Sequence, residues 1–278
     1  MYPGQMSVDF EEGAARPALV FSGRENCIAY AVGAALTSFL FGVLVLQLVL
    51  YAHQRKNRSE DRGLFTLICA AVICAIGAEV CGQLFYQIMT IDQMNSPAVF
   101  LVVNYSLAFS ASFNSLCEGI CLLAWIWRLH KMGKSLILLI GCSIPTVALM
   151  GISVGMTTLS ITSFQIDDDD NLKNDAADSQ AFSNLARAQS ALLISVNLIV
   201  IALLLWYLRQ AKQLQDHSGK TLNKLMLLNA NTNLAPCIVA VARYALYQSE
   251  HTGWSIVGLY LGPRLHVIGL LNSLFEIV

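Results

Sequence analysis

The sequence predicts an all-α membrane protein: a seven-transmembrane helix bundle with its N-terminus outside the cytosol and its C-terminus at the cytosolic face. Three observations carry this. Only 13 % of the 278 residues are charged and 56 % are hydrophobic, whereas a soluble domain carries about 25 % charged residues, so the shortfall points to lipid as the solvent. Seven stretches reach the roughly 20 mostly apolar residues that a helix needs to cross a bilayer. Lys and Arg gather in alternate loops, as the positive-inside rule requires.

The predicted spans are 27–51, 64–90, 98–127, 136–159, 186–208, 222–247 and 254–278. They divide the chain into an extracytoplasmic N-terminal segment, 1–26, and a transmembrane domain, 27–278. In the first segment Asp9, Glu11 and Glu12 stand where a signal peptide has its basic region. The apolar run from Ala18 to Phe21 is too short for a signal peptide's hydrophobic stretch, so the first span is expected to act as its own insertion signal. The connections are short except 160–185, which makes sequence neighbours antiparallel neighbours in space.

Orientation follows from the charges. Arg55, Lys56, Arg58 and Arg62 lie in loop 52–63, and Arg128, Lys131 and Lys134 in loop 128–135. Arg209, Lys212, Lys220 and Lys224 fall in loop 209–221 and the edge of the next span. These eleven basic residues face four on the other side, Arg16, Arg24, Lys173 and Arg187, and the difference places the three loops in the cytosol. Acidic residues run the opposite way, twelve outside against four inside. The expected location is the plasma membrane or an endomembrane, with the lipid bilayer as the first partner.

Small residues let helices approach closely. Span 3 carries Ala108, Ser110, Ala111, Ser112, Ser115 and Gly119, the composition of a central helix. Span 1 carries Ala34, Ser38 and Gly42, and span 4 carries Gly151 and Gly155. Packing within one chain is the simplest reading of each stripe. A homodimer through Gly151 and Gly155 is the sharper one.

Several motifs fail on inspection. Ser218-Gly219-Lys220-Thr221 lacks the earlier glycine of a phosphate loop, with Leu214 in its place. Asp167, Asp169 and Asn171 sit like calcium ligands, but Leu172 replaces the required glycine and Asp178 the final glutamate, leaving a solvated acidic loop. The eight cysteines lie in apolar segments and read as small packing residues. No metal or cofactor is expected. The last span has no lysine for a retinal Schiff base, and Trp127-Arg128-Leu129 and Pro263-Arg264-Leu265 replace the motifs of rhodopsin-like receptors. An enzyme is not expected, and neither is nucleic-acid binding.

Ionisable groups at depth in a membrane are costly and tend to face the bundle in pairs. Counting 1.5 Å per residue puts Glu79 and Arg264 both near mid-membrane, as the natural charge pair, with Asn114 and Asn233 at similar depth. Glu118, Asn229 and Asn272 fall roughly 7–9 Å toward the cytosol on the same count. Asn114 and Glu118 share a helix face, as do Asn229 and Asn233, while Gln83 and Gln87 extend a polar stripe from Glu79. Pro236 follows Asn229, Asn231 and Asn233 and invites a kink. These groups either satisfy one another and fix helix register, or line a polar cavity between spans 2, 3, 6 and 7. The candidate ligand-binding set is Glu79, Gln83, Asn114, Glu118, Asn229, Asn233, Arg264 and Asn272. Arg243, near a span end, is expected to snorkel to headgroups.

The stretch Phe41-Gly42-Val43 with Gln47 and Tyr51, then a basic loop, resembles the first span of a seven-helix family abundant in mushroom-forming fungi and catalogued as a domain of unknown function. Arg128-Leu129-His130-Lys131 is similar to that family's short basic loop, and Ser218-Gly219-Lys220-Thr221 with the Asn-rich start of span 6 resembles its fifth loop and sixth span. The resemblance covers most of 33–274 and implies the topology and a fungal setting, with no established activity. Family members finish span 7 with Leu-Asn-x-Arg and a polar tail; Leu274-Phe275-Glu276-Ile277 stands here instead, which predicts a lost or truncated tail.

The leading expectation is a receptor-like or sensory protein with a small ligand in the polar cavity. Cytosolic partners would dock on loops 52–63, 128–135 and 209–221. A transporter of a small polar solute or proton is the second expectation, and a structural or lipid-organising protein the third.

Overall fold

Helix α3 (Pro97–Gly133) is the axis of the bundle, in contact with α2 (Arg62–Ile91), α4 (Leu136–Thr162), α5 (Gln180–Leu214) and α7 (Thr252–Phe275). α1 (Arg24–Arg55) packs mainly on α7 and touches its sequence neighbour α2 only sparingly. α6 (Leu234–Leu246) is short over its described length. These elements come from a computed structural model that describes residues 24–55, 62–91, 97–133, 135–162, 164–166, 172–174, 180–214, 234–246 and 252–275.

The small residues of α3 explain its central place. Ser110, Ser112, Ser115 and Gly119 are buried, and a Cβ on Gly119 would collide with the Met150 side chain, so glycine there sets the close approach of α3 and α4. The turn joining these helices is also local chemistry. Ser135 caps α4 through its Oγ, which accepts from the Leu138 amide at 3.4 Å, and its carbonyl lies 3.1 Å from His130 Nδ1. Loop 128–135 is therefore helical through Gly133, and α5 likewise runs to Leu214, into the basic stretch expected as loop.

Five segments are long and apolar enough to cross a membrane: Ala31–His53, Arg62–Phe85, Tyr105–Lys131, Leu136–Thr162 and Asn184–Tyr207. α7 and the described part of α6 are not among them. α7 holds Arg264 and His266 at its middle, and both are fully enclosed by the other helices. Around the outside, Phe39, Leu46, Ile73, Val80, Ile137 and Ile144 are exposed, an apolar rim that only lipid solvates well.

The two halves of the bundle differ. In the half nearer the α3–α4 turn the core is mainly apolar, built on Leu44, Ile68, Leu122, Trp125, Ile126, Leu149, Val200 and Leu271. The other half carries the Glu79–Arg264 pair with Ser38, Gln83 and Asn114. This division positions the candidate site.

The structure departs from the sequence reading at three places. Residues 160–185 include a small antiparallel hairpin, β1 (Phe164–Ile166) with β2 (Leu172–Asn174), pairing Gln165 with Lys173. Three-residue strands are too short to leave a periodic signal. Residues Asp167 to Asn171 lie outside the described residues. Gly151 and Gly155 do not pack against any described residue: both are exposed, with open space where a Cβ would stand. Gly42 is open in the same way. Arg243 does not reach for the rim. It is partly buried, its Cβ lies against Gly258 of α7, and its charge interacts with Glu118.

Candidate functional site

Arg264 sits in the interior of α7, four residues after Tyr260, so both project from one helix face. Its guanidinium is fully buried. Nη2 donates to Glu79 Oε2 of α2 at 2.8 Å, and Nη1 donates to Asn114 Oδ1 of α3 and to the Tyr260 carbonyl at 3.1 Å. Three helices are thus tied at one cation. The Glu79–Arg264 pair expected from matching depth is present, and Asn114 joins it.

Glu79 faces two ways. Oε2 takes the arginine, while Oε1 accepts from Ser38 Oγ of α1 at 3.0 Å and from Gln83 Nε2, one turn along α2, at 2.9 Å. Gln83 Nε2 also donates to Ser38 Oγ at 2.7 Å. The carboxylate is 12 % exposed against 0 % for Arg264, so the pair has a buried cation and an anion at the edge.

That edge is the wall of a cleft of about 400 Å³, counting its open mouth, between α1, α2 and α7. Ala34 and Thr37 line it from α1, Glu79 and Gln83 from α2, and Val257 and Tyr260 from α7. Its position differs from the cavity expected between spans 2, 3, 6 and 7. Sparse contact between α1 and α2 leaves the gap, and Ser38, read from sequence as a packing residue, is exposed beside it and bonds the Glu79 and Gln83 side chains.

The candidate residues therefore separate. Glu79 and Gln83 line the cleft, with Arg264 and Asn114 directly behind Glu79. Glu118 lies deeper in the bundle, 3 % exposed, with its Oε1 against the Cα of Gly262, where any Cβ would displace it. Its charge interacts with Arg243 and Arg264. Asn272 belongs elsewhere: its Oδ1 accepts from Gln47 Nε2 of α1 at 2.8 Å, joining α1 to α7 near their C-terminal ends. Asn229 and Asn233 lie outside the described residues.

One buried hydroxyl and three polar contacts were not read from the sequence. Tyr260 is 8 % exposed and its hydroxyl has no hydrogen-bond partner among the described residues. His266 is held between α5 and α7, with Nε2 2.9 Å from Asn197 Oδ1 and Nδ1 3.1 Å from the Gly262 carbonyl. Gln189 of α5 donates to Ser115 of α3 at 2.9 Å. Arg128 donates to Ser273 Oγ and to its carbonyl, and lies over the Trp125 ring, joining the ends of α3 and α7. Four-residue spacing could have associated Tyr260 with Arg264. The contacts from α5 depend on tertiary packing alone.

Five apolar helices around a buried charge pair define a multi-pass membrane protein. In comparison with known proteins, the chain matches no family model, no curated protein and no solved structure.

Proposed function

We propose that the chain is a receptor-like or sensory seven-span membrane protein of the fungal seven-helix family it resembles, with its N-terminus outside and its C-terminus in the cytosol. Its ligand binds in the cleft beside Glu79. One observation carries this reading: the Glu79–Arg264 pair is anchored by Asn114 behind and left partly open in front, at the wall of a cleft. The open side weakens the pair's Coulomb term and lowers its desolvation cost, and it leaves the carboxylate edge within reach of a molecule in the cleft. Basic groups at the ends of α3 and α5 suit a cytosolic partner at loops 128–135 and 209–221, and the basic residues of loop 52–63 would join them. The open faces of Gly151 and Gly155 suit a second copy.

A second reading, transport of a proton or small polar solute, draws on Glu118 and His266, two buried titratable groups joined through Gly262. Thermal-shift screening of the purified chain, with flux measured in reconstituted vesicles, separates the two. The receptor reading expects a compound that raises Tm in wild type and not in Ala34→Trp, without solute or proton flux. Saturable flux with no such compound would replace it with the transport reading.

A further inference from the structure

The cleft's own chemistry narrows its occupant, on the reading that it is the ligand site. Its one charged group is already neutralised: Glu79 accepts three hydrogen bonds, one from the buried Arg264. A cationic ligand would have to displace Arg264 from a position it holds with three partners. An anionic one would meet the Glu79 carboxylate first. What remains unfilled is neutral. Tyr260 lines the cleft; its hydroxyl is buried beside the Ser110 hydroxyl and makes no hydrogen bond of ordinary geometry among the described residues, so a small rotation of its neighbours offers it to a ligand. Gln83 uses only its Nε2 among the described residues, leaving its carbonyl oxygen to accept. Between these groups the walls are Ala29, Ala34, Ala78 and Val257.

The mouth is equally informative. Beside the cleft α1 and α2 touch only sparingly, and along that gap Ser38 is exposed and Phe39, Ile76, Val80 and Leu84 are exposed apolar side chains. Those side chains belong in lipid, so the gap between α1 and α2 faces the bilayer. We propose that the cleft takes, from the lipid phase, a small neutral and largely apolar molecule with one terminal hydroxyl, its hydroxyl bonded to Tyr260 and Gln83 and its apolar body against the α1 and α7 walls.

The test uses the full chain in lipid nanodiscs and three photoreactive probes that differ only in their polar end. One is a straight-chain alcohol carrying a diazirine and an alkyne; the others are the matched carboxylic acid and primary amine. The alcohol should label residues of α1, α2 or α7 at the cleft, saturably, and be displaced by unlabelled straight-chain alcohol but not by the matching alkane. Tyr260→Phe should weaken labelling about three- to tenfold, the worth of one neutral hydrogen bond. The same change should leave Tm unaltered or raised, because it removes an unpartnered buried hydroxyl; a merely structural tyrosine would not lose binding. Ala34→Trp should abolish labelling, and competition in wild type decides the matter if that variant does not fold. Labelling of the same residues by acid or amine as strongly as by alcohol would overturn the neutral-alcohol assignment while leaving a ligand site. Absence of saturable labelling by all three, with no compound stabilising wild type over Ala34→Trp, would overturn the site as well.

Discussion

Glu79→Gln strands a buried cation. Arg264 is 0 % exposed and would keep only the Asn114 side-chain oxygen, the Tyr260 carbonyl and the more distant field of Glu118. Breaking one side of a buried pair costs about 3–5 kcal/mol, and the residual Glu118 field favours the lower part of that range. Arg264→Met leaves a better-served residue behind. Glu79 is 12 % exposed and retains Ser38 and Gln83 as donors, so the loss should be about 1–3 kcal/mol, the scale of an unsatisfied polar group. At roughly 2–4 °C per kcal/mol for large chains, the first change should lower Tm by about 6–20 °C and the second by less. The double variant strands no charge and should recover about 1–3 kcal/mol relative to the sum of the singles, a coupling typical of contacting residues. The assay is thermal unfolding of purified protein in one detergent, all four members of the cycle side by side. Additive losses, or a larger loss from Arg264→Met than from Glu79→Gln, would refute the reasoning.

Further outcomes are expected. Gly262→Ala should displace the Glu118 carboxylate and cost about 1–3 kcal/mol as an overpacking change, whereas Gly42→Ala, which meets open space, should be neutral or gain up to about 1 kcal/mol from helix propensity; unfolding curves of the two compare them directly. His266→Leu leaves the Asn197 side chain without its described partner and should cost about 1–3 kcal/mol, most of it restored by adding Asn197→Leu. In a background without the native cysteines, a cysteine at position 58 should label from the cytosolic side and not from outside. Gly151→Leu with Gly155→Leu should lower subunit energy transfer between differently labelled copies in vesicles if that face pairs copies, and leave it unchanged otherwise.

The helices were legible because lipid imposes length and apolarity on every crossing segment, and α1 to α5 follow both closely. α7 was legible by its length and flanking loops, yet its middle is the polar centre of the bundle, so composition alone undervalues it. The Glu79–Arg264 pair could be read because ionisable residues are scarce at depth and only a few can match. The cleft could not. Its location depends on α1 packing with α7 rather than α2, a tertiary choice that no local pattern records. Ser38 shows the ambiguity: a small residue at four-residue spacing reads as helix packing, whereas its hydroxyl bonds Glu79. Gly151 and Gly155 carry the same spacing and face outward.

The partners of Glu79 also reach the membrane at very different times. Ser38 precedes it by 41 residues and Gln83 follows in the same helix, but Arg264 is 185 residues further on. At about 5–20 residues per second of synthesis, that separation is roughly 10–40 s. Throughout this interval α2 must hold its carboxyl group without the cation that later neutralises it, and Ser38 and Gln83 are the side-chain donors already made. Helix α1 waits in the same way for α7, its main packing surface. The α1–α7 contact and the charge pair therefore close from the last helix, and a ribosome stalled before residue 264 would leave α2 docked on α3 while α1 lacked its main packing surface.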